Sequence, residues 1–495
     1  MTLTTARATY RAKEVAVKKV FGSGRRQLII QYTSEAILQT FIALILGLIL
    51  IQVLLPWFNV VTNKEIIVNL ELWVIISAIF FSLIVGIISG LYPALYLTAF
   101  SPLLVFKSGT QSGSKAGFIK ILVTFQFIIS IGLIICTGYI HKQLHYIRNK
   151  DLGINKENVL IIQTSLWYDV DRYKQEILNN PNVISASASM SSPADFYWTT
   201  DDVTWEGKQT SDMTAMSEVF VDEDFAETYG LKVIKGDFIS TESEDYWLTG
   251  EDSVKYKSLF SFPAVINETA WKMMGFDDPI GKRFNDNNII VGVVKDFHFK
   301  PLQEKVMPLI IKYNPEAIFC LNIRIRPENM SQTIAYIKEI YEKHRPERGF
   351  SYSFFEDELA NKYMTEQRQG KIFLYFTLLS ILISSLGVFG LAVFSAARRT
   401  REIGIRKVFG GSLSRILILL IKDFSKWILV AFCLVSPLAW YTIQQWAQTF
   451  AYRTEISWWI FVLSGLLVYL IAILTVIWVS FRVADRNPVE TLRNE

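Results

Sequence analysis

Six long apolar stretches, nearly free of charge, limit this chain more than any other feature. They are Ala36–Leu55, Leu72–Phe100, Ile121–Ile140, Ile372–Ala397, Trp427–Tyr452 and Ile456–Phe481. Each meets the roughly 20 residues needed to cross a bilayer as a helix. Inside lipid a backbone must satisfy its own hydrogen bonds, so each stretch is expected to be helical. Trp57, Trp73, Trp440, Trp446, Trp458 and Trp459 gather at the stretch ends, as an interfacial aromatic belt requires. Pro437, inside the fifth stretch, should kink that helix or mark a boundary. Of the 495 residues only 19% are charged, below the roughly 25% of soluble domains. With a mean hydropathy of +0.28, a soluble enzyme, a disordered chain and a coiled coil are all disfavoured.

Orientation follows from Lys and Arg in the short loops. The segment before the first stretch carries Arg7, Arg11, Lys13, Lys18, Lys19, Arg25 and Arg26, and the segment after Ala397 carries Arg398, Arg399, Arg401, Arg406, Lys407 and Arg415. Lys107, Lys115 and Lys120 follow the second stretch; Arg482, Arg486 and Arg493 follow the sixth. If six spans alternate, all four basic segments share one side, which the positive-inside rule makes cytoplasmic. Both termini are then cytoplasmic, and residues 141–370 lie outside. The net charge of +4 is small, and its clustering points to membrane orientation rather than nucleic acid.

The outer segment reads as mixed α and β. Val159–Gln163, Ala264–Ile266, Ile289–Val294 and Leu321–Ile325 have strand character, while Tyr173–Asn179 and Ser331–His344 have helical periodicity. Acidic residues dominate Asp195–Asp252, which reads first as a solvated face and second as a docking surface for a basic partner. The three cysteines, Cys136, Cys320 and Cys433, offer neither a disulfide framework nor a CxxC metal site. Gly281-Lys282 is followed by Arg283, so no Walker A loop is present. His141 and His145 read as a helix-surface pair, and Asp296 with His298 as a strand end, since no third ligand or nucleophile accompanies either.

The chain also repeats itself. Arg11-Ala-Lys-Glu-Val-Ala-Val-Lys-Lys-Val-Phe-Gly22 aligns without gaps to Arg399-Thr-Arg-Glu-Ile-Gly-Ile-Arg-Lys-Val-Phe-Gly410, and each copy precedes two spans. Glu14/Lys18 and Glu402/Arg406 are i, i+4 pairs in the favoured order, worth about 0.3 kcal/mol each. Gly22 and Gly410 are natural helix stops. Each copy therefore predicts a short basic helix at the cytoplasmic surface. An anchor to anionic lipid would explain the charge, but not why the same Glu, Phe and Gly recur. The spans hold few ionisable residues, unlike a polar translocation path, and Gly86, Gly90, Gly387 and Gly390 suit close helix packing. By this internal symmetry a span, an outer domain and a second span would precede the first copy. A fragment, a misassigned start or completion by another chain would each account for that.

The repeated segment resembles the signature of the FtsX-like and MacB-like ABC transporter permeases. Asp278-Pro-Ile-Gly-Lys-Arg-Phe284 and Val291-Gly-Val-Val-Lys-Asp-Phe-His298 resemble the periplasmic core of that family's larger members. Phe450–Trp459 and Asn487-Pro-Val-Glu-Thr-Leu-Arg493 match it too. The resemblance implies a membrane protein of six transmembrane helices plus one mixed α/β extracytoplasmic, MacB-like periplasmic core domain. Its parts would be a first coupling helix (1–33), three spans in 34–140 (36–55, 72–100, 121–140), the outer domain (141–370), a span (371–397), a second coupling helix (398–415), two spans (416–482) and a tail (483–495). It further implies a non-catalytic permease subunit in a bacterial inner membrane, partnered by a separate ABC ATPase that holds ATP and Mg2+, with no cofactor in this chain. A further permease chain or a missing N-terminal half is a possible additional partner. ATP hydrolysis would drive movement of the outer domain, or mechanotransmission. The coupling role falls on Arg11, Lys13, Glu14, Lys18, Lys19 and Gly22, and on Arg399, Arg401, Glu402, Gly404, Arg406, Lys407 and Gly410. Ala16 stands where the second copy has Gly404. Two readings from other classes stay open: a membrane-anchored sensor without an ATPase, and a membrane-bound hydrolase using the outer domain.

Overall fold

The computed structural model describes residues 12–69, 71–98, 117–163, 170–208, 214–240, 262–285, 287–314, 317–347, 349–398 and 413–484. In chain order the helices and strands begin with α1 (Ala12–Val20), α2 (Arg25–Thr62), α3 (Leu72–Thr98) and α4 (Gly117–Asn149). There follow β1 (Val159–Gln163), α5 (Val170–Leu178), β2 (Val183–Ser189), β3 (Thr199–Thr200), β4 (Met216–Phe220), α6 (Phe225–Tyr229) and β5 (Val233–Gly236). Next come β6 (Phe262–Asn267), α7 (Glu268–Met274), β7 (Arg283–Phe284), β8 (Asn288–Val294), β9 (Leu309–Lys312) and β10 (Cys320–Ile325). The chain closes with α8 (Met330–His344), β11 (Ser353–Phe354), α9 (Phe355–Lys362), α10 (Met364–Arg398), α11 (Leu413–Ala447) and α12 (Trp458–Ala484). These elements form two compact units.

The helical unit contains α2, α3, α4, α10, α11 and α12, all six long and apolar enough to cross a membrane. Most run past the apolar stretch that predicts them. At 38 residues α2 is about 57 Å long, nearly twice a bilayer core. Pro437 neither ends nor divides α11, which runs unbroken from Leu413 to Ala447. A proline removes one backbone donor, and this helix continues past the loss; Pro56 is likewise internal to α2.

Contacts between these helices depend on residue size. A Cβ placed on Gly86 would lie 2.7 Å from Thr40 Oγ1 and 2.9 Å from the Ile37 Cα, and one on Gly90 would lie 2.7 Å from the Ala36 Cβ. The GxxxG spacing therefore marks the face on which α3 meets α2. Gly132 of α4 faces Val435 of α11, and Gly465 of α12 faces the Phe432 ring. Tyr139 meets Trp446, Phe389 meets Trp478 and Trp57 meets Tyr375, with ring centroids 6.1, 5.8 and 4.5 Å apart.

The second unit holds residues 144–366 and, in addition, Ala447–Thr454. Its first layer is a four-stranded antiparallel sheet in the order β11-β1-β10-β2. Taken as β1-α5-β2 and β10-α8-β11, this is a pair of split βαβ units, as in ferredoxin-like folds. Tyr173 and Ile177 of α5 and Ile337, Ile340 and Tyr341 of α8 bury its outer face over Leu160, Ile162, Leu321 and Ile323. Between β2 and β10 the chain inserts a seven-stranded mixed sheet, ordered β3-β4-β9-β6-β8-β5 with β7 beside β8. The strands expected at Val159–Gln163, Ala264–Ile266, Ile289–Val294 and Leu321–Ile325 are β1, β6, β8 and β10, extended by at most two residues at an end.

A buried charge pair joins the layers. Lys174 of α5 reaches Asp222 at 2.6 Å and also bonds Asp224, while Asp222 Oδ2 accepts the Ala188 N–H of β2 at 2.8 Å. Burial pushes the Asp222 carboxyl up to about 7 against the pull of Lys174. Burial draws the Lys174 ammonium down, but the two carboxylates together outweigh it and hold its pKa above the ordinary value.

Residues 447–454, the connection from α11 to α12, belong to this globular unit. Ala451 N and Tyr452 N donate to the carbonyls of Gln303 and Leu302 at 3.0 and 3.1 Å. The Tyr452 ring lies under Lys150 Nζ, 3.8 Å from its centroid, and edge-on to His298 at 4.6 Å. Asp296, two residues before His298, accepts the Thr269 N–H and hydroxyl at the start of α7. Asp296 and His298 thus do structural work, as their place at a strand end suggested.

Candidate coupling site

The described copy of the repeat is α1 and the turn that follows. Its helix is short, so tertiary anchoring must hold it. Val15 supplies that anchor: it is buried with Leu28, Tyr32 and Ala94, side chains from the start of α2 and the end of α3. Lys19 adds a second anchor. Its Nζ donates to the Thr98 carbonyl of α3 at 2.7 Å.

Lys18 pairs within its own helix. Lys18 Nζ lies 2.9 Å from Glu14, on the exposed side of the helix, and donates to Gln31 Oε1 at 3.5 Å. A partly exposed i, i+4 pair of this kind contributes little stability. The helix closes at Gly22, with φ +93°, a conformation that a side chain would strain. Ser23 N donates to the Lys18 carbonyl and Gly22 N to the Lys19 carbonyl, at 3.0 and 3.1 Å, which together make a Schellman stop. Gln27 Oε1 then accepts the Gly24 N–H and starts α2.

Anchored in this way, the turn presents an apolar tip. Phe21 is 85% exposed and Val20 65% exposed. Exposed apolar side chains scattered singly are ordinary; these two are adjacent, at the end of a fixed basic helix.

Of the residues expected to couple, Glu14, Lys18, Lys19 and Gly22 are placed as above and Lys13 lies within α1. Arg11, and the second-copy set Arg399, Arg401, Glu402, Gly404, Arg406, Lys407 and Gly410, lie outside the described residues. Sequence reasoning gave the coupling role to charged residues and glycines; it noted that Val20 and Phe21 recur but assigned them no role, and gave none to Val15. The signal was present, since Val20/Val408 and Phe21/Phe409 are identical in the two copies. Among the described residues no group of three or more His, Cys, Asp or Glu could hold a metal ion.

These features define a multi-pass membrane protein with a mixed α/β domain and a short helix fixed across the base of its first helical hairpin. Residues 1–102 and 374–488 match the FtsX-like permease C-terminal family. The two matched segments, less than half of the chain, lie within the helical unit apart from residues 447–454 and make the chain similar to the FtsX-like permeases. Ninety-four residues are 32% identical to the uncharacterized ABC transporter permease YvrN of Bacillus subtilis strain 168; they make up 19% of this chain and 22% of the relative, about a fifth of its length. Two solved structures are also similar. A domain from Porphyromonas gingivalis, of a protein described as a permease, is 15% identical with a TM-score of 0.29, over 40% of this chain and 91% of that one. The extracellular domain of the ABC-type transporter YknZ from Gram-positive bacteria is 9% identical with a TM-score of 0.25, over 39% of this chain and 97% of that one.

Proposed function

We propose that this chain is the membrane subunit of an ABC transporter, and that α1 is a coupling helix on which a separate ATPase docks. The ATPase binds ATP and Mg2+; the chain converts its motion into movement of the globular unit, which lies on the extracytoplasmic side of a bacterial inner membrane with both termini in the cytoplasm. The observation that carries this reading is the exposed Val20–Phe21 tip on a helix that Val15 and Lys19 fix to both members of a hairpin. A load applied at the tip reaches α2 and α3 together, which suits a lever better than a lipid anchor. The match of two segments of the chain to one permease domain, and the basic side shared by the repeats, add support.

The test uses the full chain purified from its native membranes, with co-purifying ATPase activity as the readout. Phe21→Glu should abolish that activity while membrane insertion and yield stay unchanged. Glu402→Lys with Arg406→Glu should do the same through the second copy. Undiminished ATPase recovery in both variants would overturn the reading.

A further inference from the structure

The helices α4 and α10 enter and leave the globular unit in chain order, and they run antiparallel. Between them runs a ladder of hydroxyls. Thr137 meets Thr377 at 2.8 Å. One rung inward, Ser130 Oγ lies 2.7 Å from Ser380 Oγ and 2.8 Å from Ser384 Oγ, and it also reaches the Ser380 carbonyl at 3.2 Å. Further inward Ser384 donates to the Gln126 carbonyl at 3.3 Å, and Gln126 Oε1 lies against Gly387, 2.3 Å from where a Cβ would sit.

Two details of this ladder are unusual. Ser380 and Ser384 are one helical turn apart, and Ser130 bonds to both, so it sits astride two rungs rather than level with one. And Gln126 Oε1 is buried with no hydrogen-bond partner, a costly state for a polar atom in an apolar medium. A slide of one turn, about 5.4 Å, changes each α4 residue's level partner by three or four positions on α10. In one direction Ser130 becomes level with Ser380, and Gln126 comes beside the Ser384 hydroxyl, a donor for its orphaned oxygen; Thr137 exchanges Thr377 for Phe373. In the other direction Gln126 meets Leu391 and stays unpartnered, and Ser130 meets Gly387 and loses its side-chain partners.

We propose that α4 and α10 form a two-position register switch, in which Ser130, now shared between Ser380 and Ser384, keeps Ser380 alone as Gln126 gains Ser384. Hydroxyl bonds between membrane helices are individually weak, so neither register is locked. One-turn ratchets of one packed element past another are a documented mode of switching. The step shears the two roots of the globular unit along each other. This deepens the coupling reading by naming its motion, and it can be tested without any ATPase.

The experiment is disulfide trapping in membranes, on the full chain with Cys136, Cys320 and Cys433 replaced by Ser. The pair Thr137→Cys with Thr377→Cys reports the present register, and Thr137→Cys with Phe373→Cys the shifted one. Both should crosslink, whereas Thr137→Cys with Ile372→Cys, on a different face, should not. Gln126→Leu removes what the shifted register gains. It should lower the Phe373→Cys crosslink about threefold, the effect of one intramembrane hydrogen bond, while the Thr377→Cys crosslink persists and shows that the variant folds. If the Phe373→Cys pair traps no better than the Ile372→Cys control, or if Gln126→Leu leaves the ratio of the two crosslinks unchanged, the switch is disproved.

Discussion

The seam between α2 and α3 and the seam between α4 and α10 solve one problem by opposite means. On the first, Gly86 and Gly90 let two backbones meet, and the nearby hydroxyls turn inward: Thr40 Oγ1 bonds the Ile37 carbonyl of its own helix and Ser89 Oγ the Gly86 carbonyl of its own. On the second, hydroxyls reach across and bond each other. A glycine seam is fixed by shape, because a slide carries side chains into the space the glycines leave. A hydroxyl seam is fixed by partners, and Ser380 and Ser384 offer Ser130 two of them one turn apart. The hairpin that carries α1 is thus joined rigidly, whereas the helices bounding the globular unit have a choice of register. A lever needs a stiff arm and a moving joint, and the proposed switch assigns those parts to the first seam and the second.

The sharpest way to break this contrast is to fill the glycines. Gly86→Ala with Gly90→Ala would drive methyl groups against the Ile37 and Thr33 backbone, at 2.9 and 3.0 Å, where nothing flexible can give way. Overpacking of this kind costs about 1–3 kcal/mol at each site. The roughly 1 kcal/mol of helix propensity that each alanine adds offsets part of it. Thermal unfolding of the detergent-solubilised chain should show a net loss of about 2 kcal/mol. Unchanged stability would mean that α2 and α3 are not held by shape.

Much of this was legible beforehand. Six spans follow from charge-free length alone, and GxxxG at Gly86/Gly90 pointed to a close approach that exists. The strands of the globular unit were visible as short apolar runs, because buried strands carry continuous apolar residues. The insertion of one sheet between β2 and β10 was not, since pairing such as Leu321 with Ala188 joins residues far apart in the chain. At the coupling site, charge was legible and anchoring was not. Lys19 looks like any other surface lysine until the end of α3 is brought beside it. The seat of Tyr452 in the globular unit was equally hidden, because nothing in residues 447–454 announces a partner near residue 302.

The seams also differ from the globular unit in their response to acid. Hydroxyls and amides do not titrate in the working range, so the crosslink ratio of the α4–α10 pair should be the same at pH 7.5 and 5.5. The Tyr452 loop should not be so indifferent. Burial, and then the nearby charge of Lys150, push the His298 imidazole down to about 4, against the weaker opposing pull of Asp296 and Asp151. A histidine depressed in the folded state binds more protons when released. Its contribution is therefore present above pH 6.5 and is lost as pH falls from there toward 4. Partial exposure screens the effect, leaving about 1 kcal/mol at pH 5.5. Hydrogen exchange at the Ala451 and Tyr452 amides, corrected for intrinsic rate, should quicken about fivefold, and His298→Gln should remove that dependence.

The smallest expected effect is the most discriminating. Gly387 resembles Gly86 in facing a neighbouring helix at a distance too short for a methyl group, but what it faces is the end of a side chain. A Cβ there would lie 2.3 Å from Gln126 Oε1, and its next neighbours are the Gln126 Cδ and Nε2. An amide can swing away where a backbone cannot. Gly387→Ala should therefore leave stability within about 0.5 kcal/mol of the parent, as most substitutions without a rigid clash do. By displacing Gln126 from its present place it should raise the Thr137→Cys/Phe373→Cys crosslink. If Gly387→Ala instead destabilises as much as Gly86→Ala, both seams are held by shape, and the moving joint must lie elsewhere in the helical unit.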